Sequence, residues 1–131
     1  MVYILYHNRW IDEYYYDTKM IGIYSSKKKV QKIINKYLTL PGFSDYPNGF
    51  NLKFCQIRSK RIKNNTVYLL TGARFVDDDE LSNYFGVYTN RLLPMLISLK
   101  NMLDKKSISQ KYYIDKYRLD ENHWEEGFVI L

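Results

Sequence analysis

Two stretches of the chain read almost alike: VYILYHNRWID at residues 2–12 and VYLLTGARFVD at residues 67–77. Val, Tyr, Leu, Arg and Asp recur at matching positions, and Ile4/Leu69, Trp10/Phe75 and Ile11/Val76 are close apolar swaps. A second match follows, because IGIYS at residues 21–25 reappears in the YFGVY segment at 84–88, with Gly22 against Gly86. Colinear self-similarity constrains a fold strongly, because each copy is expected to form the same supersecondary unit.

The pattern around these matches predicts what that unit is. Residues 2–7 and 20–24 are β-branched and aromatic and read as strands, joined by a long polar, Tyr-rich loop over 8–19. Ser25-Ser26 supplies a helix N-cap, and Val30, Ile33, Ile34, Tyr37 and Leu38 then form one apolar stripe at helical spacing. Leu40-Pro41-Gly42 ends that helix, the loop PGFSDYPNGF follows, and residues 50–58 read as a third strand. After the basic connector SKRIKNN the order restarts, with strands at 67–75 and 84–88, a helix over 91–104 and a closing strand at 111–119. The expected fold class is α+β. It consists of tandem duplicated β-β-α-β units at 1–63 and 64–131, with mainly antiparallel sheet and both helices on one face. The second helix, RLLPMLISLKNML, is apolar over much of its circumference and is expected to be buried against the first helix and the sheet. The sharper alternative is a groove for a dimer mate or another partner.

Composition narrows the setting. Apolar residues make up 46% and charged residues 26%, the usage of an ordinary globular protein. A single cysteine, Cys55, cannot form an internal disulfide, which points to a reducing, cytoplasmic compartment. No signal peptide and no apolar run long enough to span a bilayer is evident, so no membrane partner is expected. Residues 1–65 hold 12 of the 20 Lys/Arg and 4 of the 14 Asp/Glu, giving +8, whereas residues 66–131 carry −2. Such asymmetry suits a polyanionic or acidic partner.

Catalytic chemistry finds little footing. Cys55 lies mid-strand with nothing nearby to lower its pKa. His7 has Gly72 as its repeat counterpart, so the shared fold does not require it. Asp77-Asp78-Asp79-Glu80 is contiguous and lacks the Gly that a calcium loop needs, and reads as a solvated hairpin tip. No phosphate-binding glycine loop, zinc-ligand cluster or triad spacing appears. The expectation is therefore no enzyme, no metal and no cofactor. Partner contacts are expected from Tyr14, Tyr15 and Tyr16, from Phe43 and Tyr46 of the Pro-Gly loop, and from Asp77, Asp78 and Asp79, with tyrosines burying area at low entropic cost. The alternative is nucleic-acid binding by Lys27, Lys28, Lys29, Lys32, Arg58, Lys60 and Arg61, although these lysines also suit the solvent face of an amphipathic helix. The C-terminal string Trp124-Glu125-Glu126-Gly127-Phe128 is expected to dock over one end of the sheet, with Gly127 allowing a tight bend.

Four groups of residues carry a resemblance: VYILYH at 2–7, IGIYSS at 21–26, LPGF with YPNGF at 40–50, and YID with WEEGF at 113–128. In combination they resemble a family of small, largely uncharacterised bacterial and phage domains. In short members of that family the Pro-Gly-Phe loop leads almost directly to the Trp-x-Glu-Gly-Phe tail. Here about 50 residues intervene, so the chain looks like a duplicated member whose final copy keeps the tail. The family it resembles brings no established enzymatic activity to carry over. It implies a role beside toxin or phage-defence systems, as an immunity or inhibitor protein that occludes a protein partner. The chain itself would be a monomer or a homodimer.

Overall fold

The structure is a computed structural model that describes residues 1–11, 16–57, 62–76, 79–104 and 110–129, with side chains left undescribed at 16, 74–76, 79–85, 104 and 110. The elements run β1 (Val2–Trp10), β2 (Tyr16–Tyr24), α1 (Lys27–Tyr37), β3 (Phe50–Cys55), β4 (Thr66–Val76), β5 (Asp79–Tyr88), α2 (Leu92–Asp104) and β6 (Gln110–Arg118). Two short 3-10 turns, Phe43–Asp45 and Pro47–Gly49, fill the loop before β3. The chain is α+β, with two antiparallel three-stranded sheets ordered β2-β1-β3 and β5-β4-β6.

The two sheets share their local detail. In one, Tyr3 pairs with Tyr24, Ile4 with Ile23 and Leu5 with Gly22, and a bulge falls between Leu5 and Tyr6. In the other, Tyr68 pairs with Tyr88, Leu69 with Val87 and Leu70 with Gly86, and the bulge falls between Leu70 and Thr71. Each glycine leaves room for the tyrosine two residues on. A Cβ at Gly22 would lie 2.8 Å from the Tyr24 hydroxyl, and one at Gly86 would lie 3.1 Å from that of Tyr88. Both helices are capped by the residue at the matching position. The Ser26 hydroxyl accepts from Lys29 N–H, and Asn90 Oδ1 accepts from Leu93 N–H.

The first hairpin is longer than its composition suggests. Asn8, Arg9 and Trp10 pair with Thr18, Asp17 and Tyr16, so most of the expected 8–19 loop is strand. Backbone pairing is indifferent to polarity, and the Thr18 hydroxyl adds a bond to Asn8 Oδ1 at 2.6 Å. On the same grounds His7 lies inside β1 rather than at its end. β3 stops at Cys55, short of residue 58. In the second unit β5 begins at Asp79, so the acidic run is partly strand. The connector before β4 ends in a two-residue turn: Asn64 and Asn65 both take φ near +50°, and Lys63 bridges Thr66.

The chain divides into two compact units, but not at the expected boundary of residues 63/64. One is Met1–Cys55 together with Leu119–Leu131, and the other is Gln56–Arg118. The tail follows the second unit in sequence yet packs with the first. Asp120 N–H donates to Ile23 O and His123 N–H to Ile21 O, both at 2.8 Å, so the tail lies along the free edge of β2. Phe128 N–H donates to Pro41 O at 2.9 Å. The Phe128 ring enters the core formed by Leu5, Ile21, Tyr24, Val30, Tyr37 and Phe43. Gly42 and Gly127, with φ of 82° and 80°, make that approach: each takes a backbone conformation that strains a side-chain-bearing residue. In the second unit the core is Val67, Leu69, Leu70, Ala73, Val87 and Tyr88. Ile57 forms a parallel bridge to Val87 on the outer side of β5.

Candidate functional site

Three surfaces collect chemically distinctive residues. The first surrounds His7. His7, Arg9, Lys19, Asp17 and Phe50 share one sheet face, because His7 pairs with both Lys19 and Phe50, and Arg9 pairs with Asp17 two residues along. The His7 ring is 1% exposed and meets Phe43 and Phe50 edge-on, with centroids 4.9 and 4.8 Å away. Its Nε2 donates to the Tyr46 carbonyl at 2.8 Å, which leaves Nδ1 as the bare acceptor, with no partner among the described residues. Burial pushes the His7 pKa below its ordinary value; the Tyr46 carbonyl opposes this, and Lys19 and Arg9 reinforce it. Lys19 is ion-paired with Asp17 and lies over the rings of Phe128 and Trp124, 4.1 and 5.1 Å from their centroids. Arg9 lies over Tyr46 and Phe128. This is a seam of stacked cations and aromatics against the tail, buried at His7, Lys19 and Phe128 and open to solvent toward Trp124. Its histidine is closed off from solvent.

The second surface is α1. Lys27, Lys28, Lys29, Lys32 and Lys36 are all exposed, while Val30 and Tyr37 are buried and Ile33 and Ile34 pack against the core. The stripe therefore faces inward as its spacing predicts. One lysine is engaged: Lys29 Nζ sits 2.9 Å from Asp120 Oδ2. Asp120 also accepts from the Ser25 backbone N–H and hydroxyl. Burial would raise the Asp120 carboxyl, but these bonds and the Lys29 charge outweigh it and hold the carboxyl below its ordinary range.

The third surface is α2, and it overturns the expectation of burial. Leu92, Met95, Leu96, Leu99, Met102 and Leu103 are 49–79% exposed. Only Pro94 is buried among the described α2 residues, with Leu93, Ile97, Ser98 and Asn101 half-buried. Apolar residues at 92, 95, 96, 99, 102 and 103 recur at alternating three- and four-residue steps, so they line one outward side of the helix. The inward side is a narrow strip, which is why a helix apolar nearly all round still shows an apolar face to solvent. Reading the seven-residue spacing, rather than total apolarity, would have found this face in the sequence.

The expected contact residues fare unevenly. Phe43 is corrected from contact to core: it is fully buried between His7, Tyr37, Phe50 and Phe128. Tyr46 is half-buried beneath Arg9. Tyr14, Tyr15, Asp77, Asp78, Arg58, Lys60 and Arg61 lie outside the described residues, and Tyr16 and Asp79 are placed only as the first residues of β2 and β5. The tail docks as expected through Phe128, but Trp124 stays 47% exposed. Cys55, partly buried, closes β3 opposite Val2. No helix is long and apolar enough to cross a membrane among the described residues.

No curated protein matches the chain, and no solved structure does. Residues 1–56 match one sequence family, described as Domain of unknown function (DUF7336), and the match ends one residue past β3.

Proposed function

We propose that this chain works by binding protein rather than by catalysis, and that α2 carries the contact. The observation behind this reading is the outward apolar face of six leucine and methionine side chains on a single helix. Monomeric proteins seldom leave a contiguous apolar patch of that size in water, and such patches mark interaction sites. Methionines at two of the six positions suit a contact surface, since their flexible thioethers adapt to a partner. An immunity or inhibitor role is one form of this function, in which association covers the working surface of a toxin or effector. The two units are read as copies of one ancestral β-β-α-β unit, supported by their shared strand order, bulge position and Gly–Tyr device.

The test places a photo-crosslinking phenylalanine analogue at Leu99 in the native host, with the same analogue at Gln31 on α1 as control. Irradiation should give a protein adduct from position 99 and little from position 31. An absence of any adduct from position 99 would remove the reading.

Nucleic-acid binding is the second reading, favoured by the five exposed lysines of α1. It predicts a gel shift with single-stranded or duplex DNA or RNA that weakens steeply as salt rises. No shift at low salt would exclude it.

A further inference from the structure

We infer that the occupant of the α2 face is the α2 face of a second copy, so that the chain forms a two-fold dimer through this helix. The inference rests on α2 being a protein contact and names its partner. Self-complementarity is the first argument. Leu92, Met95, Leu99 and Met102 fall in an uninterrupted 3-4-3 order, with Leu96 and Leu103 widening the seam on one side. That is the spacing with which one helix meshes side by side with another of the same kind. An isologous pairing needs the same patch on both partners, and this patch supplies it.

Charge is the second argument. No charged residue interrupts the seam: Lys100 borders it on the Leu96 and Leu103 side, where its ammonium can stay in water at the rim, and Arg91 precedes the first turn. In an antiparallel pairing the start of one helix, with Arg91 beside it, comes alongside the last turn of the other, which ends at Asp104. The helix dipoles then oppose each other favourably. A parallel pairing would align both dipoles and bring the two Arg91 residues together.

Area is the third. Each of the six side chains offers on the order of 100 Å² of apolar surface, so the face presents roughly 600 Å² per copy, within reach of the ~800 Å² per partner of a standard interface. The interface is at the small end, so the dimer should assemble over a measurable concentration range rather than be permanent.

The experiment is sedimentation equilibrium on the full chain, from low to high micromolar concentration. The wild type should move from 15.8 kDa toward twice that mass. Leu96→Glu with Leu99→Glu should remain at 15.8 kDa throughout, with an unchanged far-ultraviolet circular dichroism spectrum. Leu103→Glu, at a position 79% exposed near the end of the helix, is the second variant and should raise the midpoint concentration at least tenfold without touching the fold. A wild type that stays monomeric throughout overturns the inference, as does a dimer that neither variant weakens. The Leu99 photo-adduct separates this failure from failure of the broader reading. An adduct with a different protein, beside a monomeric purified chain, removes the second copy and leaves α2 as a contact. No adduct at all removes both.

Discussion

His7 illustrates how a residue with catalytic potential becomes structural. Its ring donates to a backbone carbonyl and is walled by Phe43 and Phe50, and the charged groups facing it among the described residues are Lys19, Arg9 and Asp17. With its folded pKa below 6.5, the unfolded chain binds the extra proton more readily than the folded one. Stability is therefore full above pH 6.5 and falls as pH drops through that value. The melting temperature should decrease between pH 7.5 and 5.5, and His7→Phe should flatten that slope; an equally steep slope in the variant would assign the effect elsewhere. Asp120 obeys the same sign at lower pH. Its depressed carboxyl stabilises the docked tail above about pH 4, and that contribution fades on further acidification. Asp120→Ala removes acceptors for Ser25 and Lys29 and should cost about 1–2 kcal/mol in urea denaturation at pH 7. Gly127→Ala meets a different obstacle, a φ of 80°, and should cost about 1–3 kcal/mol by the same measurement.

At the scale of elements, what was legible depended on whether side chains or backbone did the organising. The α1 stripe could be read because burial of Val30, Ile33, Ile34 and Tyr37 imposes a 3.6-residue period on the sequence. The Gly22 and Gly86 matches could be read because a tyrosine ring occupies the space beside each. The outer half of the β1–β2 hairpin could not, since Arg9 pairing with Asp17 needs only peptide groups. The address of the tail was equally hidden. It is written in carbonyls of Ile21, Ile23 and Pro41, which leave no trace in residue type. Only its anchors show, Gly127 and Phe128. Truncating Phe128 to Ala removes a ring that touches Phe43 and lies beneath both Arg9 and Lys19. It should cost about 3–5 kcal/mol, and hydrogen exchange should accelerate at the β2 edge while β4–β6 amides keep their protection. Uniform acceleration across both sheets would show that the tail's stability is not confined to its own unit.

At the scale of the whole chain, the discontinuity of the first unit carries a strong consequence. Met1–Cys55 and Leu119–Leu131 form one compact body although 63 residues, Gln56–Arg118, separate them in sequence. The described first-unit core residues all come from these two segments. The chain should therefore tolerate removal of Gln56–Arg118 if the gap can be bridged. Cys55 ends β3 opposite Val2 on β1, and the tail runs along the far side of β2. Three strand spacings of about 4.8 Å put the ends roughly 15 Å apart. A flexible Gly/Ser linker of about six residues has a root-mean-square span near 13 Å, so it closes the gap without strain. The shortened protein should give a dispersed amide spectrum and a cooperative thermal transition that Phe128→Ala lowers, as in the full chain. It should also stay monomeric at concentrations where the full chain associates, because α2 has gone with the excised segment. A collapsed spectrum without cooperative melting would mean that the first unit needs the segment between its two pieces, and that the chain folds as one body despite its division.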